Sequence, residues 1–529
     1  MKKRYLYILP AIALGLTACE PSFENEIDGN TYYSGDADFS VYVSVGNSLT
    51  AGFMDGTVFK SGQQYSFPNI LAEQFKIVGG GEFTQPFFGD DEKNIGGLLL
   101  GGNPVGATRM IVNMYPGADG QPLGPQNIKG TPSIEISRLQ QKAYNNMGIP
   151  GAKVFHLLVP GYGDLAGVAS GTANPYFVRH ATKSSATVLE DALSLNPTFF
   201  TNWIGANDVL SYATSGGTGV DQTGNSNAAT YGANDITDPM LFAGTYKLIV
   251  DGLTRNGAKG VVATIPDVTS IPFFTTVPYN PLSPALLGGD ENIDQLNQFI
   301  GMFKQLLGAG GQGDRLQLLS KDKPNPLLIK DEALADLGPL IEGALMANMG
   351  LDAPTAKMVG MVFGQARHAT SNDLILLTTK AVIGTQAFEP TGGFADALNL
   401  NGITYPLADQ HVLTVDEQKT AKAATLAFNN IIRSVASEKN LAVADMNDIM
   451  NKAVVGLRVE DGQIYTADYF SGLGNLNKVM FSLDGVHPNA RGYAFIAAEI
   501  LRVINKHYNA KIPLVNPAVY PGPTLLQSN

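Results

Sequence analysis

Short apolar runs alternate with longer stretches of helical periodicity along most of this chain, and several of the runs are closed by glycine or proline. That alternation is the strongest constraint on the fold. A run that is apolar on both alternating faces must be covered on both sides, which suits strands of a mostly parallel sheet packed between helices. The strand candidates are Val41 to Val45, Val154 to Val159, Thr198 to Ile204, Gly260 to Ile265, Leu374 to Thr378 and Leu441 to Ala444. Ala143 to Met147 competes with the second of these. Thr414 and Glu417 form a capping box ahead of Ala421, Ala424, Phe428, Ile431, Ile432 and Val435, whose three- and four-residue spacing puts one apolar stripe on a helix. A second helix is predicted from about Asn489 to Lys506, directly after Pro488, and a third ends near Asn256-Gly257 before the Val261 strand.

Two stretches break the pattern. Ser211 to Asp238 is rich in Gly, Ser, Thr and Asn, and Pro278 to Asn372 mixes loops with helical patterns. Both are expected to be insertions at an edge of the core, as lids, binding loops or a small subdomain. The 529 residues are 44% hydrophobic and 16% charged, too apolar for a disordered chain and ample for a large core. Collagen, coiled coil, multi-span membrane protein and disulfide-stapled miniprotein are all excluded by this composition. With 35 basic against 47 acidic residues the formal charge is −12, which disfavours nucleic acid as a partner.

Cys19 is the single cysteine, so no intramolecular disulfide can form. A basic start, Lys2-Lys3-Arg4, precedes an apolar run from Tyr5 to Leu16 and then Leu16-Thr17-Ala18-Cys19. The run is too short to span a bilayer as a helix and has the form of a signal-peptide core. Residues 1–18 are therefore expected to be a signal peptide. Glu20 to Asp38 carries six acidic and no basic residues and reads as a solvated tether, so that residues 19–38 precede a folded domain at 39–529.

Three pieces of the domain carry candidate chemistry. Gly46-Asn47-Ser48-Leu49-Thr50 closes the first strand and leaves Ser48 at its carboxyl end, where open α/β sheets bind ligands. A serine there becomes a nucleophile only with a base to take its proton. Asp484-Gly485-Val486-His487-Pro488 offers that base, with an aspartate three residues ahead able to fix the imidazole tautomer. Ile204-Gly205-Ala206-Asn207-Asp208 ends another strand, and the Asn207 amide there can serve as an oxyanion donor. Each piece alone is weak, since D-x-x-H recurs by chance and Gly-Ala-Asn-Asp is also an ordinary turn.

Taken together and in order, these pieces resemble the four sequence blocks of the SGNH hydrolases, also called GDSL esterases and lipases. Gly46-Asn47-Ser48-Leu49 resembles the nucleophile block, Gly148-Ile149-Pro150-Gly151-Ala152 the glycine block, Gly205-Ala206-Asn207-Asp208 the G-x-N-D block, and Asp484-Gly485-Val486-His487-Pro488 the D-x-x-H-P block. The resemblance implies a three-layer α/β/α sandwich, flavodoxin-like, with a parallel sheet of about five strands. It implies a Ser48-His487-Asp484 triad acting on carboxylic esters, acyl lipids or O-acylated glycans, with Ser48, Gly151 and Asn207 as the oxyanion hole and no cofactor or metal. Asn47 departs from the usual aspartate, at a position outside the triad. Gly161, in Val159-Pro160-Gly161-Tyr162-Gly163, rivals Gly151 as oxyanion donor. The resemblance covers the core and leaves the insertions unexplained. Separately, Leu16-Thr17-Ala18-Cys19 resembles the lipobox of bacterial lipoproteins, which implies lipidation of Cys19 and anchoring in the cell envelope, at the outer membrane. The acidic stretch after it resembles a surface-export signal of some such lipoproteins.

Other signatures are missing or bland. There is no G-x-S-x-G elbow, no H-E-x-x-H and no C-x-x-C. His156 reads as a core histidine, and His180, His368, His411 and His507 lack ligand spacing. Trp203 reads as sheet packing, and Tyr162 and Tyr212, which flank the crevice, read as surface packing, with the lining of an acyl or sugar pocket as the alternative. A non-catalytic surface binding lipoprotein with the same fold is the alternative. Such a descendant has no need to keep Ser48, Asn207, Asp484 and His487 together.

Overall fold

The computed structural model describes residues 32–117, 122–389, 394–458 and 462–526. The expected signal peptide and Cys19 lie outside them. In chain order the elements that build and surround the core are β1 (Tyr42–Gly46), α1 (Ser48–Ala51), α2 (Phe67–Lys76), β2 (Asn146–Gly148), α3 (Val188–Ser194), β3 (Phe199–Trp203), α4 (Asn207–Thr214), α5 (Pro239–Thr254) and β4 (Lys259–Ala263). They continue with α6 (Asp290–Ala309), α7 (Gly338–Met349), α8 (Ala353–Phe363), α9 (Val415–Glu438), β5 (Ala442–Ala444), α10 (Met446–Val454) and α11 (Ala490–His507).

The five strands form one parallel sheet in the order β2-β1-β3-β4-β5. Every residue of β1 and β3 is buried, as both-sided cover requires. Alternate side chains go to opposite layers. Val43, Val45, Phe200 and Val262 join α3, α5 and α9 in one hydrophobic cluster. Tyr42, Phe199, Trp203, Val261 and Ala263 join α2 and α11 in another. The result is a three-layer α/β/α fold. Its strand order reverses direction at β1, so the crevice between the carboxyl ends of β1 and β3 is the switch point where doubly wound sheets bind ligands.

The predicted helices form for the reasons read from their ends. Glu417 accepts the Thr414 backbone N–H at 2.6 Å ahead of α9, and Asn489 accepts the Gly492 N–H at 2.9 Å ahead of α11.

Two strand expectations are corrected. Val154 to Val159 is not a strand. It holds a 3₁₀ turn over Val154–Leu158, and the sheet edge is Asn146–Gly148, close to the competing run. The backbone donors there are taken by side chains: Lys153 N–H bonds His156 Nδ1 at 3.0 Å and Val154 N–H bonds Asp208 at 2.9 Å. Leu374 to Thr378 does not enter the main sheet either. Leu374–Ile375 pairs antiparallel with Val412–Leu413, just before α9, and closes the base of the large insertion.

That insertion has its own core. Residues from Val277 to Val412, wider than the expected 278–372, pack α6, α7, α8 and an antiparallel pair (Leu328–Lys330 with Ala366–His368) around Phe303, Ile329, Ile341 and Phe363. Arg367 lies between Asp331 at 2.6 Å and Asp373 at 2.7 Å. In the 211–238 stretch, the first residues belong to α4, and the loop returns to give Thr237 N–H to the Asp208 carbonyl at 3.1 Å. A further small sheet, Met110–Pro116 with Pro122–Asn127 and Leu525–Leu526, was not foreseen.

The end of the expected tether is docked. Tyr33 exchanges backbone hydrogen bonds with Lys511 at 3.3 and 3.0 Å, Asp36 N–H bonds Tyr508 O at 2.8 Å, and Ala37 is buried. Among the described residues no helix is long and apolar enough to cross a membrane.

Candidate active site

The nucleophile candidate is placed by β1 and the turn that follows it. Gly46 ends the strand where a side chain cannot fit, because an added Cβ would come within 2.2 Å of Thr50 Oγ1 and 2.6 Å of Trp203 O. Asn47 then caps α1, its side-chain oxygen accepting the Leu49 N–H at 3.1 Å. An aspartate or an asparagine supplies that acceptor equally well, which accounts for the departure at this position. Ser48 opens α1, so its N–H has no intrahelical acceptor and stays free to donate.

His487 arrives from the opposite end of the chain, in the turn before α11. Its Nε2 lies 2.8 Å from Ser48 Oγ, and its Nδ1 lies 2.9 Å from Asp484 Oδ2. An ionised carboxylate can only accept, so Nδ1 carries the proton and Nε2 accepts the Ser48 hydroxyl. Asp484 Oδ1 also accepts the N–H groups of Val486 and His487, each at 2.8 Å, and Oδ2 accepts Gly56 N–H at 3.1 Å. Burial pushes the Asp484 carboxyl up, but the imidazole and these N–H donors outweigh it and hold the group below the usual carboxylate range. The Phe53 ring stands 4.5 Å from the imidazole and shields it on one side.

The expected oxyanion donors come from two neighbouring loops. Asn207 opens α4 at the carboxyl end of β3, and its Nδ2 gives one hydrogen to Ala152 O at 3.0 Å, leaving the second free. That bond ties the glycine block to the crevice. Ile149 N–H also bonds Gly46 O at 3.0 Å, which sets the block beside the Ser48 turn. Gly151 has φ +79°, a left-handed conformation that favours glycine, and its N–H has no acceptor among the described residues. No comparable bond links Gly161 to the crevice; it sits in the next turn, where its carbonyl accepts Asp164 N–H at 2.9 Å.

Two aspartates hold these loops in place. The buried Asp208 accepts Val154 N–H at 2.9 Å and the Thr237 hydroxyl at 2.7 Å, clamping the turn that follows the glycine block, and the end of the 211–238 loop, to α4. Burial pushes its carboxyl up to about 7 against those donors and the nearby charge of Lys153. Asp55 clamps the acid loop to the nucleophile turn. Its Oδ1 accepts Leu483 N–H at 3.0 Å and its own N–H bonds Ser482 Oγ at 3.0 Å. Burial, aided by the charge of Asp484, pushes Asp55 up to about 7 although the Leu483 N–H and Arg109 oppose it. Asp208 falls inside one of the four blocks, whereas nothing local marks Asp55, whose partners Ser482 and Leu483 lie more than four hundred residues away.

The remaining candidates sit apart from this constellation. His156 is satisfied by Lys153 N–H, and His368 by Gln317 N–H at 3.0 Å. Tyr162 and Tyr212 are buried in the core rather than packed at the surface as expected, the former stacked on His156 at 4.7 Å. Trp203 is buried in the sheet, with its indole N–H on Thr264 O at 3.2 Å, and also reaches the wall of a cavity that opens at Ser48. Among the described residues no three His, Cys, Asp or Glu side chains group as metal ligands. Set against protein-family models, curated proteins and solved structures, the chain matches none of them.

Proposed function

We propose that this protein is a serine ester hydrolase of the SGNH type, cleaving carboxylic esters through Ser48, His487 and Asp484. One observation carries the reading: an unbroken hydrogen-bond relay from Asp484 through His487 to Ser48, built from residues at the two ends of the domain. Ser48 Oγ bonds to the ester carbonyl carbon while its proton passes to His487 Nε2. The oxyanion is held by the N–H groups of Ser48 and Gly151 and the free hydrogen of Asn207. As the tetrahedral intermediate collapses, the carbon–oxygen bond to the alcohol breaks and His487 returns its proton to that oxygen. Water then takes the alcohol's place, gives a proton to His487 and bonds to the acyl carbon; the bond to Ser48 Oγ breaks, His487 returns the proton to that oxygen, and the acid is released. Asp484 keeps the imidazole in its working tautomer and stabilises the imidazolium.

From the separate lipobox resemblance we also propose that the protein is a lipoprotein, anchored through acylated Cys19 in the cell envelope at the outer membrane. A panel of chromogenic esters, with wild type beside Ser48→Ala, tests the activity. Turnover by the wild type alone supports the assignment, and equal turnover by both rejects it.

A further inference from the structure

Beside Ser48 the protein holds an open-mouthed cavity of about 100 Å³. It runs from the nucleophile between the carboxyl ends of β3 and β4 toward α10 and α11. Its only polar side chains other than the Trp203 indole are those of Asn47, Ser48, Asn207 and His487, all at the catalytic mouth. Beyond them the wall is hydrocarbon, aromatic and thioether, including Ile271, Met446, Met450, Met480, Phe481 and Phe495. The indole N–H of Trp203 is already spent on Thr264 O.

From this we infer that the cavity is an acyl-chain site, so that the substrates are esters of medium- or long-chain carboxylic acids rather than acetylated glycans. The inference rests on the hydrolase reading and narrows it. A sugar placed there would leave its hydroxyls without partners, a large penalty in a dry pocket, whereas a hydrocarbon chain loses nothing and leaves water. Three methionines from two segments, Met446 and Met450 on α10 and Met480 ahead of His487, give the wall a shape that adapts to chains of different length. The acyl half, not the alcohol, belongs inside. Deacylation needs water at the position the alcohol has left, beside His487 Nε2, and an apolar pocket is the wrong place to deliver water. The alcohol therefore faces the open side, and the acyl chain attached to Ser48 fills the cavity.

The test uses the full chain with p-nitrophenyl esters of acyl length two to sixteen, and in parallel with acetates of lengthening alcohols. On the acyl series kcat/KM is expected to climb about fourfold per added CH₂ until the cavity is full. The alcohol series is expected to stay nearly flat. Ala453→Phe and, as a second variant, Met450→Trp add bulk at the wall. Each is expected to cut the ratio of long- to short-chain kcat/KM at least tenfold, with folding checked by thermal melting. Displacement of a fluorescent fatty acid by decanoate, measured on Ser48→Ala, reads the cavity without turnover and is expected to show binding that both filling variants weaken. A flat acyl profile with brisk hydrolysis, or a length preference that follows the alcohol, would overturn the acyl site and leave the hydrolase standing. Decanoate binding with no ester cleaved would overturn the hydrolase and leave the acyl site.

Discussion

Two buried carboxylate networks in this molecule use similar parts for opposite ends. In the insertion, Arg367 sits between Asp331 and Asp373, with Asp373 receiving two charge-assisted bonds at 2.7 Å from the guanidinium. An arginine does not lose its proton, so this network is a fixed weld. At the crevice, Asp484 meets an imidazole instead, with Asp55 close behind it. An imidazole can hold a proton on one ring nitrogen while the other accepts one, so the second network can pass a proton along. The difference between weld and relay lies in the side chain that meets the carboxylate, not in the depth of burial.

Substitutions break that comparison with graded force. Ser48→Ala is expected to lower kcat by on the order of 10⁶-fold while leaving the melting temperature near that of wild type, as steady-state kinetics and calorimetry would show. Asp484→Asn keeps the contacts but favours the wrong imidazole tautomer, and a loss of about 10⁴-fold in kcat is expected. Arg367→Leu should do the reverse. Stranding Asp331 and Asp373 without their cation is expected to cost about 3–5 kcal/mol in urea unfolding, with kcat of the folded fraction retained. Asn207→Ala removes one oxyanion donor, and kcat is expected to fall about 10²- to 10³-fold.

The smallest effect sharpens the contrast through pH. Asp55 and Asp208 have carboxyls pushed up to about 7 in the folded protein, against 3.8 ordinarily. Between pH 4 and 7 the folded state therefore keeps protons that the unfolded chain has released. These two groups make stability fall as pH rises across that window and level off above it. Asp484 works the other way: its lowered value adds stability above the ordinary carboxylate range, lost only as pH falls through the folded value. Asp55→Asn is expected to flatten the decline between pH 4 and 7, as unfolding midpoints at several pH values would reveal.

Much of the site was legible because its pieces are local. A glycine ending a strand, a capping Asn47 and a serine opening a helix are neighbours in sequence, and so are Asp484 and His487. What escaped depends on distance along the chain. Asp55 gains its meaning only from Ser482 and Leu483. The Val154 run misled because Asp208 takes one of its backbone donors, a competitor that periodicity does not reveal. Met446, Met450 and Phe495 sit on helices whose apolar stripes look like ordinary core, although they also wall a cavity. The insertion's helices and its Arg367 weld were hidden for a similar reason, since loops and helical patterns are interleaved there.

The most direct measurement of the relay is covalent. A fluorophosphonate probe, which loses fluoride when an activated serine oxygen attacks its phosphorus, is incubated with the full chain and the product is mapped by peptide mass spectrometry. The account predicts a single adduct on Ser48 in wild type, strongly slowed in His487→Ala and absent in Ser48→Ala. Labelling of Ser48 at the same rate with or without His487, or no labelling of Ser48 in folded wild type, would contradict it.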